Sequence, residues 1–234
     1  MRNSSAFRAP HSAFSDMAKD LAIVLNSGGV NSAVATAISA QKYRLILIHG
    51  EGTGLSTPRS RVSYDQQTAH FKPYREHSIS LPYLSIFGPQ QPTQPMVADS
   101  KHPTGTTAQM IDMIPLLAGA VRFAVHYGAA RIITGFRVGG TGEDLAKATE
   151  YGQIWNELLQ LPCGLTELEI DTPLLELEPW QIIDVGFSVN APFDKTWSCL
   201  EEGTDPCWAC RGCRAREQAF QQAAKPDPLR GVKK

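Results

Sequence analysis

Four of the five cysteines, Cys199, Cys207, Cys210 and Cys213, fall in SCLEEGTDPCWACRGC with the spacing C-x7-C-x2-C-x2-C. Thiolates this close in sequence can surround one tetrahedral metal at about 2.3 Å. Four sulfurs close the coordination sphere, so a zinc ion held there would be structural. An iron–sulfur cluster also takes four cysteines, and a CxxC pair can do redox chemistry, so both stand beside zinc. With no secretion signal evident, the cluster reads as metal or redox chemistry before it reads as a disulfide framework. Cys163, alone in LPCGL, reads as a small hydrophobe.

A second chemistry sits near the N-terminus, in LAIVLNSGGVNSAVATAISA at 21–40. An apolar run stops at Asn26-Ser27-Gly28-Gly29-Val30-Asn31-Ser32, and a small-residue helical pattern follows. Successive backbone N–H groups at Ser27-Gly28-Gly29, free of Cβ atoms at both glycines, meet the N-terminus of the next helix. Unpaired donors and the helix dipole together favour a phosphate or pyrophosphate. Ser27 and Ser32 add hydroxyls. No lysine follows as in GxxxxGK[ST], and the pattern is not GxGxxG. A tight strand-to-helix turn with no ligand would use the same glycines.

The elements that must position these groups alternate. LAIVL (21–25) and RLILIHG (44–50) are buried-strand candidates around a helix over Ser32–Gln41. A helix over 60–76 and a strand over 77–84 follow. The Pro-, Gln- and Thr-rich stretch 88–106 cannot be a regular element. A helix is expected over 108–128, kinked or restarted near Pro115, then a strand over 130–136, a loop RVGGTGED at 137–144 and a helix over 145–160. A strand over 168–176, a helix over 178–189 and a short helix at 214–224 complete the chain. The order predicts an α/β fold with an open doubly wound parallel sheet, Rossmann-like, and ligands beyond the carboxyl ends of the strands. The boundaries expected are a disordered tail at 1–18, a nucleotide-binding α/β domain at 19–192, a small four-cysteine metal module with a terminal helix at 193–224, and a second tail at 225–234. A transit peptide is the alternative for the first of these.

The composition excludes several classes. A formal charge of −1 over 234 residues gives no footprint for nucleic acid or an acidic membrane. The 42% apolar content supports a proper core. No apolar run approaches the roughly 20 residues of a spanning helix. A cytoplasmic protein with a small-molecule substrate is expected, without direct nucleic-acid or membrane partners, and with a homodimer as the candidate assembly.

SGGVNS resembles the SGGxDS pyrophosphate loop of the N-type ATP pyrophosphatases, an adenine-nucleotide-hydrolase type of fold. That resemblance implies that Ser27, Gly28, Gly29 and Ser32 hold the phosphates of ATP with Mg²⁺. Asn31 stands where the family has aspartate; it keeps an acceptor oxygen and loses the charge. Joined to TWSC (196–199) and the cysteines that follow, to ITGF (133–136) and to DTPLLELEPWQIIDVG (171–186), the chain resembles the 7-cyano-7-deazaguanine synthases over about residues 21–220. The family's Pro-Gly-Arg-Asn segment is matched by Pro103-Thr104-Gly105-Thr106-Thr107, without the arginine.

The resemblance implies a carbon–nitrogen ligase using ATP, Mg²⁺, structural Zn²⁺ and ammonia on a 7-deazaguanine carboxylate. Asn31 and Arg137 are the candidate catalytic residues. Ser27, Gly28, Gly29, Asn31, Ser32, His49 and Glu51 are candidates for nucleotide contact. Gly135, Arg137 and Asp144 are candidates for substrate contact, with Arg59 and Arg61 as further cations. Asp144 reads equally as a helix cap. Other readings are a relative that adenylates another carboxylate, a catalytically silent ATP-binding sensor or complex subunit, and a zinc module for nucleic acid that the near-neutral charge disfavours.

Overall fold

The computed structural model describes residues 20–52, 58–81, 105–138, 142–201 and 203–231. Five strands form one parallel sheet: β1 (Leu21–Leu25), β2 (Arg44–Glu51), β3 (Arg75–Ser80), β4 (Arg131–Thr134) and β5 (Glu169–Asp171), in the order β3-β2-β1-β4-β5. The chain runs outward from β1 to β3, then returns to pair β4 on the other side of β1. The carboxyl ends of β1 and β4, aligned at Leu25 and Thr134, therefore flank the switch point where a doubly wound sheet opens a crevice.

The continuous apolar runs of β1 and β2 follow from burial on both faces. Ala22, Val24, Leu45 and Leu47 pack on one face against α1 (Val30–Ala40), α5 (Pro179–Ser188) and α6 (Arg211–Gln222). Ile23, Leu25, Ile46 and Ile48 pack on the other against α3 (Gly105–Tyr127) and Leu159 of α4 (Gly142–Gln160). Helix α1 buries Ser32, Ala33, Ala35, Thr36, Ala37 and Ser39. These small side chains let its axis lie close to the sheet, and Thr36 and Ser39 return their hydroxyls to the carbonyls of Ser32 and Ala35, both at 2.7 Å.

Element boundaries differ from expectation where proline acts. Helix α2 (Pro58–Phe71) stops before Lys72-Pro73, with Lys72 at φ 48, because the residue before proline is driven out of the helical region. Strand β5 has three residues instead of nine, since Pro173 has no N–H to give the ladder. Helix α3 does not restart at Pro115. By length and composition, α3 is long and apolar enough to cross a membrane, against the expectation from the sequence. Asp112 and Arg122 interrupt its apolar run without lowering the average enough. Its Leu117, Ala120 and Ala124 are part of the core beneath the sheet. The stretch 1–18, most of the 88–106 loop and the Pro103-Thr104 positions lie outside the described residues.

The expected C-terminal tail carries structure. A one-turn 3-10 helix (Phe193–Lys195) leads to the cysteines, α6 follows, and Pro228–Gly231 forms a last short helix, α7. Arg216 on α6 and Asp227 are buried together, at 3% and 4% side-chain exposure. The guanidinium meets the carboxylate through two bonds of 2.7 and 2.8 Å and also donates to Thr196 Oγ1 and the Phe193 carbonyl. Asp227 accepts in turn from the Leu229 N–H that opens α7. A buried arginine requires such a partner, and nothing in PDPLRGVKK announces it. Replacing Asp227 by alanine leaves the cation buried and unpaired. The expected loss is about 3–5 kcal/mol of unfolding free energy, read by urea denaturation; a free tail would give no change.

Candidate active site and metal centre

Asn26 ends β1 and is wholly buried. Its Oδ1 accepts from the Gly28 N–H at 2.8 Å and lies 3.3 Å from the Ser32 hydroxyl. Its Nδ2 donates to Thr36 Oγ1 at 3.0 Å and to Gln67 Oε1 at 2.9 Å. The carboxamide is thus saturated. Gln67, also wholly buried on α2, donates through Nε2 to the carbonyls of Gly28 and Lys195, both at 3.0 Å. The Gly28 carbonyl takes a second donor, the Trp197 N–H, at 2.9 Å.

This network fixes a turn that only glycine fits. Gly28 has φ +81, and a Cβ there would stand 2.3 Å from the Ser60 carbonyl. Gly29 caps α1 and has no side chain with which to accept from the first-turn N–H groups. Ser27 Oγ accepts from the Gly29 N–H at 3.3 Å and lies 3.2 Å from Ser32 Oγ. Ser27 is exposed, Gly29 and Asn31 are half-buried, and Ser32 is buried. Across the switch point, a Cβ at Gly135 would stand 2.7 Å from the Ser32 nitrogen. The loop after β4 therefore rests directly on the start of α1.

The remaining expected site residues divide by their commitments. His49 supports the turn from behind. At 1% exposure its ring stacks on Tyr64 at 4.8 Å, and its Nδ1 donates to the Asn26 carbonyl at 2.9 Å. Glu51 is ion-paired with Arg61, which also holds Asp65 at 2.9 Å and Ser78 at 2.8 Å. Arg137 donates Nε to the Leu177 carbonyl at 2.8 Å and lies 3.8 Å from Glu178, so it ties the post-β4 loop to the start of α5. Asp144 stands in the first turn of α4 beside Glu143, where a negative charge complements the helix dipole.

The four cysteine sulfurs lie within 4.8 Å of one another. Cys207–Cys213 and Cys199–Cys210 separations are 4.0 and 3.9 Å, near the roughly 3.8 Å edge of a tetrahedron built on 2.3 Å metal–sulfur bonds. Backbone N–H groups of Leu200, Cys207, Ala209 and Cys210 point at the sulfurs of Cys210, Cys199 and Cys207 at 3.3–3.5 Å. Such donors suit thiolates. Burial pushes the Cys210 thiol up, but the Leu200 and Cys213 N–H groups outweigh it and bring it down to about 6. The donor set fits a thiophilic metal. Trp197 joins Cys199 and Cys213 in a small apolar cluster around it.

Burial holds the His49 imidazole below the ordinary histidine value, and the Arg61 charge adds to this. The unfolded chain then takes up a proton near pH 6.5 that the folded chain refuses. Stability contributed by neutral His49 is present above about pH 6.5 and falls as the pH drops below it. A His49→Gln variant is expected to flatten that limb in thermal unfolding measured from about pH 7.5 to about pH 5; an unchanged slope would assign it to other groups.

A family model described as queuosine biosynthesis protein QueC matches residues 21–224. The 7-cyano-7-deazaguanine synthase of Chloroherpeton thalassium is 30% identical over 221 residues, covering 89% of this chain and 95% of that protein. The synthase of Chlorobium chlorochromatii is 29% identical over 219 residues, with 89% and 94% coverage. Among solved structures, the NMN synthetase of Francisella tularensis aligns with a TM-score of 0.46 at 15% identity, over 90% of this chain and 79% of that one. The match over nearly the whole described α/β core and the cysteine centre is decisive: this chain belongs to the QueC family of queuosine biosynthesis proteins.

Proposed function

We propose that the protein is an ATP-dependent ligase that converts a 7-deazaguanine carboxylate to the amide and then to the nitrile, with ammonia as nitrogen donor. The reading is carried by the uncapped glycine turn at the β1–β4 switch point, together with family membership. A carboxylate resists ammonia because its oxygen would leave as oxide. Transfer of AMP from ATP to that oxygen releases pyrophosphate and creates a good leaving group. Ammonia adds at the carbon, AMP departs, and the amide forms with loss of a proton. A second ATP adenylates the amide oxygen with release of pyrophosphate; loss of AMP and of both protons on nitrogen gives the nitrile.

In this scheme Ser27, Gly28, Gly29 and Ser32 hold pyrophosphate oxygens through backbone and hydroxyl donors. Mg²⁺, entering with the nucleotide, would neutralise phosphate charge. Asn31 would offer it a carboxamide oxygen in place of a carboxylate. Gly135 keeps the post-β4 loop close to α1, and Arg137 and Asp144 on that side are assigned to the substrate, with the Asp144 carboxylate suited to the N–H edge of a guanine-like ring. His49 acts through Asn26, and Glu51 through Arg61. Cys199, Cys207, Cys210 and Cys213 would hold Zn²⁺ in a closed structural site.

The catalytically silent reading draws on Asn31. Mass spectrometry of purified protein given Mg-ATP, 7-carboxy-7-deazaguanine and ammonium separates the two. Substrate-dependent AMP with amide or nitrile is expected, and Asn31→Asp should raise turnover about tenfold, equivalent to ~1.4 kcal/mol of barrier. ATP binding without AMP in either protein would establish the silent binder. The metal reading has its own check. Cys199 lies two residues from Trp197, whose N–H holds Gly28, so chelation is expected to release one metal per chain and to weaken ATP binding by calorimetry. Unchanged affinity in metal-free, folded protein would sever that link.

A further inference from the structure

Two donors next to the glycine turn have no acceptor. Arg59 Nε and Trp197 Nε1 are both buried and lack a hydrogen-bond partner among the described residues. They sit together: the Arg59 guanidinium lies over the Trp197 ring, 5.1 Å from its centroid. Both are anchored to the turn. The Trp197 N–H donates to the Gly28 carbonyl, and the Trp197 carbonyl would stand 3.7 Å from a Cβ on Gly29. Ser60, next to Arg59, backs Gly28 with its own carbonyl.

Among the described residues, three other cations near this end of the sheet have partners of their own. Arg61 is held by Glu51 and Asp65, Arg137 by the Leu177 carbonyl and Glu178, and Lys195 by Asp194. Arg59 forms no ion pair with any described residue. Buried N–H groups without acceptors are costly and rarely retained without purpose. An arginine laid on an indole keeps its charge and its orientation while one edge stays available. Trp197 is itself 7% exposed, so its N–H is shielded from water as well.

We propose that Arg59 and Trp197 form a clamp for phosphate oxygens, completing the glycine turn as the site for the pyrophosphate portion of ATP. The proposal rests on the reading of that turn as a nucleotide-phosphate site. It supplies the fixed positive charge that the 103–107 segment does not carry. The guanidinium offers planar, paired N–H donors suited to two phosphate oxygens, and the indole N–H adds a third. Arg59 belongs to α2 and Trp197 to the segment before Cys199, so the clamp joins two stretches that both contact the turn at Gly28.

Isothermal titration of the full, metal-loaded chain with inorganic pyrophosphate and with AMP tests the clamp. Arg59→Gln is expected to weaken pyrophosphate at least tenfold and AMP less than twofold. Trp197→Phe keeps the backbone bond to Gly28, loses the indole N–H, and should weaken pyrophosphate several-fold. In ¹⁵N-edited spectra of the unaltered chain, the Trp197 indole N–H should shift on adding pyrophosphate, while those of Trp155, Trp180 and Trp208 stay in place. Unchanged pyrophosphate affinity in Arg59→Gln overturns the clamp and leaves the glycine-turn reading standing. Equal losses for AMP and pyrophosphate also overturn it, since they mark general damage. If the unaltered chain binds neither pyrophosphate nor ATP, the clamp and the nucleotide reading fall together. If Arg59→Gln does not fold, a stationary Trp197 indole N–H in the unaltered chain overturns the clamp by itself.

Discussion

The Gly28 carbonyl, held by the Gln67 side chain and the Trp197 backbone, is the point through which three parts of the molecule reach one another. The left-handed conformation of Gly28 turns the chain at the end of β1 so that the carbonyl points toward α2 and the 195–197 segment while the following N–H groups open the other way. Asn26 makes the turn rigid by accepting from the Gly28 N–H and donating to Gln67. Two buried carboxamides satisfy each other and the backbone, so losing either leaves several buried polar atoms without partners. The cost of error here is what keeps the turn in one shape.

The C-terminal module extends the same logic. Its own apolar cluster, built on Trp197, Cys199 and Cys213, is too small to fold a unit by itself, so docking on the α/β body must share the work. Docking is polar at its centre. Arg216 reaches Thr196, the Phe193 carbonyl and Asp227, and thereby fixes the segment that carries both the Trp197 contact to Gly28 and Cys199. Gly212 permits this closeness: a Cβ there would stand 1.9 Å from the Ser198 carbonyl. The cysteine cluster and the glycine turn are therefore two ends of one short stretch of backbone.

What is legible in the sequence is local. The apolar runs of β1 and β2, the glycine turn and the cysteine spacing are each contained within a few consecutive residues, and period and spacing suffice to read them. What stays hidden depends on partners far apart in the chain. Gln67 reads as one more polar residue on a polar helix; its meaning comes from Asn26, 41 residues away, and the Lys195 carbonyl, 128 away. Arg216 and Asp227 look like surface charges beside a tail until the fold closes over both. His49 and Glu51 do lie at the end of β2, but alternation along the strand turns His49 inward beneath α2, and Arg61 claims Glu51. Charge type and strand position alone cannot tell a group that meets a ligand from one that braces its neighbour.

The two departures from the family pattern bear on each other. Asn31 removes a negative charge from the phosphate turn, and the 103–107 segment lacks a positive one. Losing an acid alone would leave excess positive charge and a weakened hold on a divalent cation; losing an arginine alone would leave phosphate charge uncompensated. In the proposed reading the two changes remove one charge of each sign from the site. In that reading the positive charge of the site comes from the α1 N-terminus and from Arg59, which sits on Trp197. For phosphoryl chemistry, in which positioning and charge neutralisation carry most of the catalysis, a relocated cation can serve provided it is held as firmly as the one it replaces. In the proposed clamp, Arg59 stacks on the buried indole of Trp197, whose backbone N–H donates to the Gly28 carbonyl.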